Sequence, residues 1–351
     1  MNTLARVPGW DFLRGMCALA VAIYHLFFWQ DIAVLNTFSS YGVYMFFILS
    51  GASLTYTYLG KYESGQLSIP GFLRTRYLRL APLYVILMLL SLPWKLQKEG
   101  LTIDLVGLYA INASLLFGFY SPVNHAVLIG GWSLGIEVIF YLLFPVILWC
   151  LHKRGLALAV FCCLLVLQLI WIEGTLGGSG GYGENIVAFH QAPAFAAYFM
   201  GGCLLGAAKR RKQLGDSVSQ VFVLVCLLTG FGLLLGLTTP IQGDEITGWR
   251  GFFLFCLCFV MVYISTRLKA ASGMQKIAAT LGDATYGLYL LHPVLFFGLT
   301  LALFPRLGIS APNSWPVLWR LCFSIVIIFT AFGLALLSEK YLEKPIRRWA
   351  R

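Results

Sequence analysis

The sequence predicts an all-α polytopic membrane protein, with about ten transmembrane helices plus one re-entrant or interfacial segment at 103–119. Three observations predict it. Apolar residues make up 59% of the chain and charged ones only 11%, with a mean hydropathy of +0.81. A soluble domain is about one quarter charged and could not hide that much apolar surface. The excess arrives as runs of roughly 17–20 residues with few charges, the length that crosses a hydrocarbon core about 30 Å thick. The 25 Lys and Arg residues fall mostly in short clusters between those runs, as the positive-inside rule places them in cytoplasmic loops.

The candidate spans are 12–29, 41–59, 78–95, 133–151, 156–172, 192–208, 218–237, 251–266, 285–304 and 317–338. The apolar stretch 103–119 carries Asp104 and Asn112, and charge decides its status. If it crosses, the loops at Lys153–Arg154 and Lys209–Lys212 fall opposite to the basic residues of the N-terminal half. If it does not, only Lys95, Lys98, Arg250, Arg306 and Arg320 lie outside or at the outer boundary. The other 20 of the 25 then lie inside with both termini: Arg6, Arg14 and the clusters Lys61 to Arg79, Lys153–Arg154, Lys209–Lys212, Arg267 to Lys276 and Lys340 to Arg351. The segment is therefore expected to dip in and return, sheltered by protein that pairs its polar groups.

The net charge of +11 does not point to nucleic acid, because the basic residues form no single polar surface. All nine cysteines sit in apolar segments without metal-ligand spacing, which reads as small buried hydrophobes and no metal site. The apolar run Gly15 to Trp29 lacks a small-residue cleavage site and carries His25, so it is expected to be an uncleaved first helix. No repeat and no separate soluble domain is apparent, and residues 1–351 read as one transmembrane domain. The stretch Glu173 to Gln191, with Gly-Gly-Ser-Gly-Gly, reads as a flexible external loop.

Ionisable side chains inside spans are costly and commonly line a cavity or pathway. In the first helix Asp11, Arg14 and His25 share a face, because eleven residues make three turns plus about 20°. His25 then lies about 16 Å beyond Arg14, toward the outer side. The fourth span opens with Trp132-Ser133-Leu134-Gly135-Ile136-Glu137, which places Glu137 at the depth of His25. A carboxylate beside an imidazole fixes its tautomer and raises its basicity, a general-base arrangement able to deprotonate a hydroxyl. The bland readings are a helix-packing histidine, a snorkelling Arg14, a Glu137 paired with a hydroxyl, and a His292 that stabilises the kink at Pro293.

Arg74, Arg76 and Arg79 stand at the entry of the third span. They are either an anchor on lipid phosphates or guanidiniums for the phosphates of a nucleotide-like acyl donor. Ser50-Gly51, after Phe46-Phe47-Ile48-Leu49, permits close approach of another helix or of a slim ligand chain.

These pieces, in this order, resemble the acyltransferase-3 family of membrane acyltransferases. They are Asp11 to Gly15 with His25, Phe46 to Gly51, Arg74 to Pro82, Trp132 to Pro145, Thr285 to Pro293 and Glu343-Lys344-Pro345. The resemblance implies a ten-helix domain in the cell (inner) membrane, with both termini cytoplasmic. It implies acyl-CoA, most often acetyl-CoA, as a co-substrate rather than a bound cofactor, and O-acylation of a cell-envelope glycan or lipid-linked saccharide. The family's arginine and histidine map onto Arg14 and His25, and its carboxylate onto Glu137. Asp11 joins these as a candidate catalytic residue. Arg14, Arg74, Arg76, Arg79, Ser50 and Gly51 are the candidate acyl-CoA contacts, and Trp132, Ser133, Tyr289 and His292 the acceptor or supporting residues. Some members carry a fused extracytoplasmic hydrolase-like domain. Here a hand-off would run in trans to a partner protein of the envelope, or be unnecessary. Direct transfer and a transient acyl-histidine both fit. The rival class is a proton-coupled transporter of a small polar solute or lipid-linked sugar.

Overall fold

The computed structural model describes residues 5–153, 155–178 and 181–349. Arg154 and Arg351 of the basic clusters, and Ser179–Gly180 of the glycine-rich loop, lie outside the described residues. Among the described residues eight helices are long and apolar enough to cross a membrane. In the order below they are α1 (Pro8–Trp29), α2 (Asn36–Glu63), α3 (Ile69–Glu99), α6 (Gly131–His152), α7 (Leu156–Leu176), α11 (Gly248–Thr266), and the runs Ser272–Leu307 and Val317–Trp349. The last two begin as α12 (Ser272–Phe297) and α13 (Val317–Ser338), and α14 (Lys344–Trp349) ends the chain. The other two expected spans are the shorter helices α9 (Ala196–Arg210) and α10 (Gln220–Gly236). Between them lie α4 (Ile103–Ala113), the single turn α5 (Pro122–His125) and α8 (Gly181–Phe189). Two short parallel strands, β1 (Val218–Ser219) and β2 (Leu268–Lys269), pair in register.

Segment 103–119 does not cross. α4 has 11 residues, which rise about 16 Å against a core of about 30 Å. The chain then turns through Leu115, whose φ is +59°, and tucks the fully buried Phe117 beside α6, where Gly118 packs on Gly135. Asn112 ties the return. Its amide donates to the carbonyls of Leu108 (2.8 Å) and His125 (2.6 Å), and its oxygen accepts from Tyr84 Oη (2.6 Å) and Val127 N (3.0 Å). Every polar atom of that buried amide is matched, as shelter from lipid requires.

The basic loops share one end, here the terminal end. Arg211 bonds Glu63 (3.1 Å) and the Leu151 carbonyl (3.0 Å). Lys209 reaches the Thr266 carbonyl (3.0 Å), and Arg6 and Lys344 meet on Asp283 (2.7 and 3.3 Å). The opposite, distal end carries α4, α5, α8 and the 237–247 loop. α2 is the central helix. It packs on α9 so closely that a Cβ at Gly202, Gly206 or Gly51 would collide with the opposing backbone, the small-residue contact by which helices associate where lipid supplies no hydrophobic drive.

Candidate functional site

Two cavities meet inside the bundle. The first, about 100 Å³, is a slim space toward the terminal end, lined by Arg14, Ser50, Ser53, Arg79, Glu137, Tyr141 and Tyr289 among others. The second, about 380 Å³, lies at the distal end and holds His25, Trp29, Ser40, Trp132, His190 and Tyr289 among others. Val43 and Tyr289 line both and form the wall between them.

The first cavity is built on fixed charges. Arg14 extends from α1 to α2, where one guanidinium nitrogen donates to the Leu49 carbonyl (2.8 Å) and to Ser53 Oγ. Asp11, one turn earlier, accepts from Arg14 (3.4 Å) and pairs with Arg6 (2.9 Å). Asp11, expected as a catalytic residue, therefore holds Arg14 in place and is not among the residues lining the cavity. Glu137 accepts from Ser50 Oγ (2.5 Å) and Tyr141 Oη (2.5 Å) through one oxygen. Arg79 lines the same cavity, and no hydrogen bond or ion pair joins it to another described residue.

Arg74 and Arg76 are not brought here. Arg76 is three residues from Arg79, 60° around α3, and donates to Tyr58 Oη (3.0 Å). Arg74 is five residues away, 140° around, and stacks on Trp349 (5.4 Å). Gly51 also leaves the expected ligand set, because its open side is filled by α9.

His25 does not meet Glu137. Equal depth fixes one coordinate of three, and α2 stands between α1 and α6, packing on both. The imidazole instead meets His292 of α12, with Nδ1 2.9 Å from the partner's Nε2. His292 Nδ1 lies 2.9 Å from the Leu288 carbonyl. A carbonyl oxygen only accepts, so in the neutral rings His292 Nδ1 carries the hydrogen and its Nε2 is a lone pair. The hydrogen between the rings then sits on His25 Nδ1, an assignment made from the bonding network. That leaves His25 Nε2 unprotonated on a ring that lines the distal cavity. Trp29 stacks on His25 at 4.9 Å with the planes 2° apart and keeps the ring from turning. The side chain that meets His25 is thus His292, expected only as a supporting residue, and not Glu137.

Tyr289 and Ser133 close the wall. Both hydroxyls reach the Gly130 carbonyl (2.9 and 3.0 Å), and they lie 3.1 Å from each other. Gly130 has φ +79°, and a Cβ there would press on the Tyr289 hydroxyl, so a side chain at this position meets strain and a clash together. Trp132 packs edge-on against His190 at 4.0 Å. Burial lowers the His190 ring to about 4, so it stays neutral near pH 7. Ser53 and Tyr141 were not legible as site residues, since a serine or tyrosine in a membrane helix gives no signal of its own.

The model of the acyltransferase domain family matches residues 7–336. The chain is 27% identical to the peptidoglycan O-acetyltransferase OatA of Listeria monocytogenes over 97% of its own length and 56% of that protein. It is 25% identical to a putative peptidoglycan O-acetyltransferase, YrhL, of Bacillus subtilis over 97% and 55%, and 24% identical to the O-acetyltransferase OatA of Staphylococcus aureus over 97% and 57%. The chain thus spans a little over half the length of these curated relatives. No solved structure matches it.

Proposed function

The chain belongs to the acyltransferase-3 family, and from that premise we propose that it moves an acyl group, acetyl first, from acyl-CoA to a hydroxyl of a cell-envelope carbohydrate or lipid-linked saccharide. The observation that carries this reading is the pair of cavities on one wall, basic on one side and holding the free Nε2 of His25 on the other. The basic terminal end is the cytoplasmic one by the positive-inside rule, in a cell (inner) membrane, and acyl-CoA enters there. Arg79, which makes no hydrogen bond or ion pair among the described residues, meets its phosphates, and Arg14 waits deeper, already oriented by Asp11, Leu49 and Ser53. The slim first cavity suits a pantetheine arm carrying a small acyl group.

At the wall the acceptor hydroxyl attacks the thioester carbon. His25 Nε2 takes the hydroxyl proton as the C–O bond forms, and the Nδ1–H to His292 steadies the imidazolium. The C–S bond then breaks, and the thiolate leaves as CoA thiol with the proton returned by His25. Glu137, held by Ser50 and Tyr141, balances the positive field of Arg14 and Arg79. The acceptor arrives from the distal side.

The test is CoA release from acetyl-CoA by the purified chain in nanodiscs, with extracted envelope glycans as acceptors. Wild type is expected to release CoA, and folded His25→Ala to release none above background. Release that survives in His25→Ala refutes the base. Absence of both release and acetyl-CoA binding, with solute uptake into proteoliposomes, turns the reading to a transporter.

A further inference from the structure

One buried acid at the distal end has no part in the proposed transfer. Glu245, in the 237–247 loop, is fully buried. Its Oε2 accepts from Thr239 Oγ (3.0 Å) and Gly243 N (2.9 Å), and its Oε1 from Ser40 Oγ (3.1 Å). Among the described residues no Lys or Arg pairs with it. Burying a carboxylate without a cation is costly, and the loop could close its turn with an amide. What the carboxylate adds is direction: burial raises its pKa, three donors on its two oxygens oppose that by favouring the acceptor-only ionised form, and the Ser40 hydroxyl donates to it. Ser40 then offers only lone pairs to the distal cavity it lines.

The rest of that cavity has an uncharged lining: aromatic and aliphatic side chains, the imidazoles of His25 and His190, and the polar Ser39 and Gln242. Trp29, Trp132 and Tyr24 line it, and among the described residues no Lys, Arg, Asp or Glu does. At about 380 Å³ it falls within the range of small-ligand sites. Aromatic faces suit the C–H face of a pyranose, while an anion placed here would be desolvated without a cation to meet it. We propose that Ser40, oriented by Glu245, accepts a hydroxyl of an uncharged pyranose in this cavity, so that any phosphate or carboxylate of the acceptor stays outside it. This rests on the acyl-transfer reading and names which part of the acceptor the site holds.

The experiment is titration calorimetry of the full chain in nanodiscs with two probes of equal length, a neutral N-acetylglucosamine tetramer and a tetramer of galacturonate. The neutral probe is expected to bind and the uronate to bind at least tenfold more weakly. Ser40→Ala is expected to weaken the neutral probe about fivefold to tenfold, the size of one hydrogen bond. Ser40→Thr keeps the hydroxyl and is expected to retain affinity within about twofold. Glu245→Gln, whose amide can donate to Ser40 and release its hydrogen, is expected to weaken the probe as Ser40→Ala does. In turnover Ser40→Ala raises the acceptor KM and leaves kcat at saturation unchanged, which a merely structural residue would not do. Equal binding of both probes, binding of neither, or wild-type affinity in folded Ser40→Ala overturns the inference. His25-dependent CoA release would still stand in those cases. Its loss alongside the expected binding pattern sinks the transfer reading alone.

Discussion

Replacing His292 with Leu tests whether the two imidazoles act as a unit. His292 is fully buried, and Leu fills a similar volume without a polar atom, so packing is nearly kept. The Leu288 carbonyl keeps its helical hydrogen bond. What disappears is the acceptor for His25 Nδ1–H, and with it the preference that leaves Nε2 unprotonated. On the acyl-transfer reading this hydrogen bond gains charge as His25 takes the acceptor proton. Hydrogen bonds to charged groups contribute about 1.5–3 kcal/mol, which at 1.36 kcal/mol per tenfold is a loss of about 13- to 160-fold in kcat. His292 is not among the residues lining either cavity, so KM for acetyl-CoA and for the acceptor is expected to hold. His292→Gln, whose oxygen can accept in place of Nε2, recovers part of the rate. Combining His292→Leu with His25→Ala costs nothing beyond His25→Ala alone, because residues of one unit are not additive. Steady-state CoA release, with circular dichroism and melting to confirm folding, supplies the readout. A folded His292→Leu protein with wild-type kcat, or with a loss confined to KM, would refute the dyad.

Other consequences are read by similar means. Arg79→Ala is expected to raise KM for acyl-CoA about tenfold to a hundredfold with kcat at saturation near wild type, as loss of one charge-assisted phosphate contact implies. Arg74→Ala, on the far side of α3, is expected to stay within about twofold, and equal effects of the two would sink the assignment. Gly202→Val places a branched side chain against the Ile48 carbonyl and is expected to cost about 1–3 kcal/mol, read as a lower melting temperature. A melting temperature equal to wild type would deny the close contact of α2 and α9. His190 has its ring lowered from 6.5 to about 4 by burial, so on acidification the unfolded chain takes the proton first. Stability is therefore expected to fall between about pH 6.5 and pH 4, and His190→Phe to flatten that part of the melting-temperature profile. An unchanged profile in the variant would show that another group titrates there.

Arg14 and Glu137 were legible because a charge inside a membrane span needs a reason, and both line a cavity. The return of 103–119 followed from loop charge alone, since only that topology gathers the basic loops, and the Asn112 hub shows how the segment is held. The partner of His25 was not legible. It lies 267 residues away, and helix order around the bundle decides it, whereas sequence position gives only depth. Ser40 and Glu245 were silent for a different reason. A serine near a helix start and a glutamate in an external loop look solvated, and only the fold that buries that loop gives the carboxylate a single direction to act in. Arg74 and Arg76 misled because a basic cluster at a helix entry announces a membrane boundary as readily as a ligand, and helix rotation separates them from Arg79.

On the proposed function the same geometry bears on how one site would handle two unlike substrates. In the first cavity Arg14 is answered by Asp11, while Glu137 is held by two hydroxyls. Among the described residues Arg79 makes no ion pair, so the cavity keeps cationic capacity for a polyanion. The distal cavity has no charged lining and a buried acid behind Ser40, so a polyanion that passed the wall would trade its counter-charge for a desolvated surface. On the acyl-transfer reading the phosphates of the donor stay on one side of Tyr289 while its acyl group reaches across. A neutral sugar meets the opposite balance, since the aromatic cavity offers it stacking and the basic one offers it little. On that reading charge separates donor from acceptor before shape does, with His25 on the side where the hydroxyl waits.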